Sequence, residues 1–73
     1  MARNDVRVLP ENKAWKVTLN GVRQAGFDTK QPAVDYGVAV AKANRPSSLR
    51  IHRADGTIEE ERTYDNDPFP PRG

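Results

Sequence analysis

Asn20-Gly21 stands between two runs in which apolar and polar residues alternate, and no other feature constrains the fold so tightly. A type I′ turn needs positive φ at both central residues, and Asn-Gly meets that need with little steric strain. Before it, Trp15, Val17 and Leu19 alternate with Lys16 and Thr18; after it, Val22 to Phe27 folds back as a partner strand. Val6 and Val8 around Arg7 form an earlier run, set apart by Pro10-Glu11-Asn12-Lys13 as a loop. Strands are therefore expected over residues 5–9, 14–19 and 22–27. Counting across the turn sets Leu19 opposite Val22, Val17 opposite Gln24, and Trp15 opposite Gly26, an aromatic over bare backbone. Phe27 then falls on the wrong face, which requires a bulge at Gly26 or a strand end there.

A helix follows. Asp28 or Thr29 supplies a cap, and Pro32 lies in the first turn, where a missing N–H carries no penalty. Ala33, Gly37, Val40, Ala41 and Asn44 recur at helical spacing, flanked by Val34 and Val38. The small residues let this helix approach a sheet closely. Gly37 gives up about 1 kcal/mol of helix propensity relative to alanine, so close packing matters there. Asn44-Arg45-Pro46 ends the helix. Leu49 and Ile51 then alternate with Arg50 and His52 as a fourth strand, and Ala54-Asp55-Gly56 turns the chain into a fifth. A loop over 53–56 sets Ile51 opposite Ile58 and Arg50 opposite Glu59, whereas a two-residue Asp-Gly turn puts Ile58 on the other face. Three prolines, Pro68, Pro70 and Pro71, cannot donate to a ladder, so pairing stops near Tyr64.

The expected molecule is one α+β domain over 1–73: an antiparallel sheet of four to five strands with one helix on one face, in the order β-β-β-α-β-β, and a proline-rich tail over 65–73. A chain of 73 residues has a small core, which dimerisation would enlarge, and with no cysteine it has no disulfide or thiolate metal site. No stretch is long and apolar enough for a membrane helix, so a soluble cytoplasmic protein with no membrane contact is the expectation. The net charge of +2 is unevenly spread. Residues 1–53 carry ten Lys/Arg against four Asp/Glu, for +6; residues 54–73 carry two against six, for −4. Either the basic part faces a polyanion or the two parts neutralise each other in the fold.

The chain resembles the domain of unknown function 2188 family of small bacterial proteins. The resemblance rests on Trp15-Lys16-Val17, on Phe27-Asp28-Thr29-Lys30, on Ser48-Leu49-Arg50-Ile51-His52-Arg53-Ala54-Asp55-Gly56-Thr57-Ile58, and on the stretch from Tyr64-Asp65-Asn66-Asp67 through Pro68-Phe69-Pro70-Pro71-Arg72-Gly73. It covers nearly the whole chain, and the C-terminal stretch is its specific part. Pro32, Tyr36 and Gly37 depart from the Ala/Glu/Arg-rich helix expected of the family. The resemblance supports the fold and supplies no catalytic or binding residue. The segment from Trp15 to Val34 is also loosely similar, through Trp15, Phe27, Thr29 and Lys30, to the sheet-and-helix DNA-binding module of some phage integrases.

The residues carry little chemistry. His52 is the one histidine, expected on an outward strand face as a solvated side chain rather than a base or a phosphate contact. Without a nucleophile and an orienting acid around it, no catalytic set assembles, and no enzyme activity is expected. Glu59, Glu60, Glu61, Asp65 and Asp67 do not have calcium-loop spacing and read as a charged strand that deters edge pairing, so no metal or other cofactor is expected. Pro68-Phe69-Pro70-Pro71-Arg72 has the form of a polyproline ligand, but Tyr64, Pro68, Phe69 and Pro70 are expected to pack on the domain or contact a partner. Strand alternation gathers Arg7, Lys16, Thr18, Arg23, Arg50 and His52 on the face opposite the helix. A basic sheet backed by a helix can enter a DNA major groove. The opposing expectation is that Arg50 and Arg23 pair with Glu59, Glu61 or aspartates across strands. The favoured function is a non-catalytic module for a protein partner or a second copy of itself, with nucleic-acid binding through the basic face as the alternative.

Overall fold

In the computed structural model of the chain, which describes residues 3–65, the elements run β1 (Asn4–Glu11), β2 (Ala14–Leu19), β3 (Val22–Phe27), α1 (Lys30–Ala43), β4 (Ser47–His52) and β5 (Ile58–Tyr64). One sheet holds all five strands in the order β3-β2-β1-β4-β5, with α1 laid across one face. The sheet is mixed rather than wholly antiparallel. α1 carries the chain back from the end of β3 to the starting end of β1, so β4 runs parallel to β1, with Val6 beside Leu49 and Val8 beside Ile51.

Both early turns have the left-handed backbone that tight hairpins demand. Asn20 and Gly21 have φ of 52° and 86°, as the dipeptide predicts. Asn12 and Lys13 also take positive φ, so the expected four-residue loop shortens to two residues and β1 extends to Glu11. Pro10 is tolerated in this central strand because pairing with β4 stops at Val8, while Pro10 faces Trp15 of β2.

The β2–β3 register corrects the sequence count. Val17 lies opposite Ala25 and Thr18 opposite Arg23, so the extra residue is Gln24, not Gly26. The bulge restores Phe27 to the helix side, opposite Trp15, where its ring meets Tyr36 at 5.5 Å. Gly26 faces Lys16 instead of Trp15, and the Arg23 guanidinium occupies the place that a side chain at Gly26 would take. A second bulge, at Glu59, sets Arg50 opposite Glu61 and His52 opposite Ile58. The connecting loop is five residues, 53–57, rather than four.

Val6, Val8, Val17, Leu49 and Ile51 form the buried sheet side of the core, and Ala33, Val34, Gly37 and Ala41 form the helix side. Burying each large aliphatic side chain contributes about 1.5–3 kcal/mol. Gly37 sits where the helix comes closest: a Cβ there would lie 2.9 Å from Val8 Cγ2 and 3.2 Å from Leu49 Cδ1. Thr29 takes the N-cap position in extended backbone, but its side chain makes no capping bond, so packing rather than capping fixes that end. At the other end, Asn44 Nδ2 donates to the Val40 carbonyl at 2.8 Å and Ser47 Oγ to the Ala41 carbonyl at 2.7 Å.

Candidate functional site

The sheet face opposite α1 has no second layer among the described residues. Alternation about the buried Val6, Val8 and Val17 puts Arg7, Lys16, Thr18, Arg23, Arg50 and His52 on it, as the sequence pattern predicts. The register brings Arg7 beside both Thr18 and Arg50, and Thr18 beside Arg23. Thr18 and Ser48 are only 6% and 8% exposed. Thr18 has Arg7 and Arg23 as its register neighbours, and long arginine stems can cover a short polar side chain while their charged ends reach solvent.

Each of the four cations on this face has a carboxylate partner. Asp5 accepts from Arg7 Nε at 3.0 Å and from Arg50 Nη1 at 3.0 Å, and Arg50 Nη2 also reaches Glu61 at 3.4 Å. Glu11 gathers Lys16 Nζ at 3.7 Å and Arg23 Nε at 3.4 Å. Four cations thus face Asp5, Glu11 and Glu61, leaving these groups one net positive charge. Sequence reasoning anticipated that Arg50 pairs across strands with Glu61 or an aspartate, as its contacts with Glu61 and Asp5 show, but it did not single out Asp5 and it missed Glu11. Asp5 lies two residues from Arg7 and so shares its face, a signal that was present; Glu11 was hidden by its assignment to a loop.

His52 departs from expectation. It is 6% exposed rather than solvated, with its Nδ1 2.8 Å from the Gly56 carbonyl and its Nε2 buried without a partner. The loop closes over it through the Arg53 N–H to Thr57 carbonyl bond (2.7 Å) and the Gly56 N–H to Arg53 carbonyl bond (2.8 Å), while Ile58 stands opposite. Asp55 tightens the turn by accepting from Thr57 N–H at 3.0 Å and Thr57 Oγ1 at 2.7 Å. Those two bonds, the hydroxyl first, hold its carboxyl below the usual aspartate value.

A second feature lies on the helix side. α1 rests on β1 to β4, and a groove of about 370 Å³ runs between it and β5 over Val34 and Ile51. Lys30, which stands 5.6 Å from the Trp15 ring centroid, pairs with Glu59 across the groove. Arg62 Nε donates to Glu60 at 2.7 Å. That bond is the main reason the Glu60 carboxyl lies below its ordinary range and the Arg62 guanidinium above its own. Tyr64, at the end of β5, is half-buried against the core. Pro68, Phe69 and Pro70 lie outside the described residues.

Among the described residues no cluster of three or more His, Asp or Glu is placed to hold a metal ion, and no helix is long and apolar enough to cross a membrane. A family model described as "Uncharacterized protein conserved in bacteria (DUF2188)" matches residues 6–64. The chain belongs to this family. The match spans the chain from β1 to the last residue of β5, so the bulged sheet and its helix are the family's domain. No curated protein and no solved structure matches the chain.

Proposed function

We propose that this family member is a non-catalytic binding module whose ligand is another protein chain rather than a nucleic acid. The observation that carries the reading is the pairing of Arg7, Lys16, Arg23 and Arg50 with carboxylates of the same sheet face. Phosphate-backbone binding draws on cations whose neutralisation releases counterions. Four free cations would give a salt slope near −3.6, whereas one net charge gives about −0.9. A face of mixed, paired charges suits a protein surface of complementary pattern, because such arrays set register and reject wrong partners. A catalytic role finds no support in the lone histidine, whose Nδ1 is engaged by the Gly56 carbonyl.

The test is an anisotropy titration of mixed-sequence DNA and RNA at low salt and at about 150 mM, beside sedimentation of the protein alone. The reading expects no saturable polyanion binding at either salt. Salt-sensitive binding that vanishes in Lys16→Glu/Arg23→Glu, with thermal stability unchanged, would establish the alternative instead. A sedimentation coefficient and melting temperature that rise with protein concentration would identify the partner as a second copy.

A further inference from the structure

His52 ends β4 with its ring shut away from solvent. The residue is 6% exposed, Nδ1 lies 2.8 Å from the Gly56 carbonyl, and Nε2 is buried without a partner among the described residues. A carbonyl oxygen only accepts, so Nδ1 must donate, and the neutral ring then carries its lone pair on Nε2. Burying that neutral acceptor is a modest cost. A proton on it would add a buried charge and an N–H with nothing to accept it, which is far worse.

The cover over the ring is a self-contained turn. The Arg53 N–H to Thr57 carbonyl bond, the Gly56 N–H to Arg53 carbonyl bond and the two bonds from Thr57 to Asp55 all lie within residues 53–57. Gly56, at φ of 94°, gives the turn its left-handed step. The His52–Gly56 bond ties the turn back onto β4, and the bulge at Glu59 interrupts the ladder just beyond it. The turn can therefore lift as a unit with its internal bonds intact.

No neighbouring group is placed to hold an imidazolium under the turn. On β4, Arg50 shares the face of His52 two residues away and adds repulsion, while its partners Asp5 and Glu61 are engaged by it. On β1, Leu9 follows Val8, the partner of Ile51, and opposite Leu9 stands Lys16, paired with Glu11. On β5 the facing residue is Ile58; Glu59 is paired with Lys30 of α1 and Glu60 with Arg62. Within the turn, Asp55 is held by Thr57, and Arg53 Nη1 donates to Thr57 Oγ1 and the Ile58 carbonyl.

We infer that the 53–57 turn is a proton-triggered latch: neutral His52 holds it down, and a proton on Nε2 releases it so that the imidazolium reaches water. The device does not depend on what the open face binds, and its release uncovers His52 on that face.

The test is a nuclear magnetic resonance titration of the full chain from about pH 8 to about pH 5, which spans the ordinary imidazole range. At the alkaline end the ring nitrogens should show the Nδ1–H tautomer, and a soluble paramagnetic relaxation agent should barely affect the ring protons. Towards the acid end that effect should rise several-fold. The Gly56 carbonyl and the amides of residues 53–58 should shift on the same curve, while Val6 and Leu49 stay fixed. His52→Gln should abolish the response, and Asp55→Asn should retain it, which separates the histidine from the turn's carboxylate. If His52→Gln does not fold, the wild-type ring signals still decide. The latch is overturned by an Nε2–H tautomer at the alkaline end, by a ring that protonates without gaining solvent access, or by shifts that persist in His52→Gln. Loss of the native Val6 and Leu49 signals on the same curve also overturns it, since the whole domain then unfolds.

Discussion

The two faces of the sheet are buried by opposite means. On the helix side, Val6, Val8, Val17 and Leu49 are sealed by small helix residues and need shape complementarity to within an ångström. On the other side, Thr18 and Ser48 are buried without a covering layer among the described residues and His52 lies against its own 53–57 loop, beside arginines and a lysine tied down by Asp5, Glu11 and Glu61. The first face stores the stability of a small domain. The second stores little, because exposed pairs contribute about 1 kcal/mol or less each, but it fixes a charge pattern. A chain this short can specialise its faces only if one helix does nearly all of the structural work.

The contrast breaks most sharply at Leu49. Leu49→Ala should lose about 2–5 kcal/mol, read as a drop of some tens of degrees at most in melting temperature. Gly37→Ala is subtler, since alanine gains about 1 kcal/mol of helix propensity while its methyl meets Val8 and Leu49. Overpacking of this kind costs about 1–3 kcal/mol, so the variant should be less stable by calorimetry despite its better helix former. Asp5→Asn on the open face should cost about 1 kcal/mol or less, although it releases Arg7 and leaves Arg50 with Glu61 alone. The smallest effect belongs to Asp55. Its folded-state carboxyl is lowered below 3.8, so the turn's contribution is full above that value and fades as pH falls through the lower folded one. The melting-temperature gap between wild type and Asp55→Ala should therefore narrow on acidification.

Legibility in the sequence divides along local and tertiary lines. Asn20-Gly21 specifies its turn by φ alone, and Gly37 marks a close approach because an interior helix glycine needs a reason. The bulges at Gln24 and Glu59 could not be placed by counting. Parity shows that Phe27 must change face, but only its contact with Tyr36 on α1 decides that it does so before Ala25. His52 misleads for the same reason: strand alternation gives its face, while its burial comes from the folded-back 53–57 loop. The cations of the open face were readable one by one. Their neutralisation was legible as an expectation but its partners were not, because Asp5 and Glu11 take that place only once β1 lies centrally and reaches its full length.

The most direct test of that neutralisation is heparin-column retention at low ionic strength, comparing wild type with Asp5→Asn/Glu11→Gln. Both substitutions keep shape and remove two of the three carboxylates that hold the four cations, leaving only Glu61 beside Arg50. Wild type should elute early and the variant late, with retention abolished by salt. Strong retention of wild type, unchanged in the variant, would mean that the cations were free all along and would contradict the account.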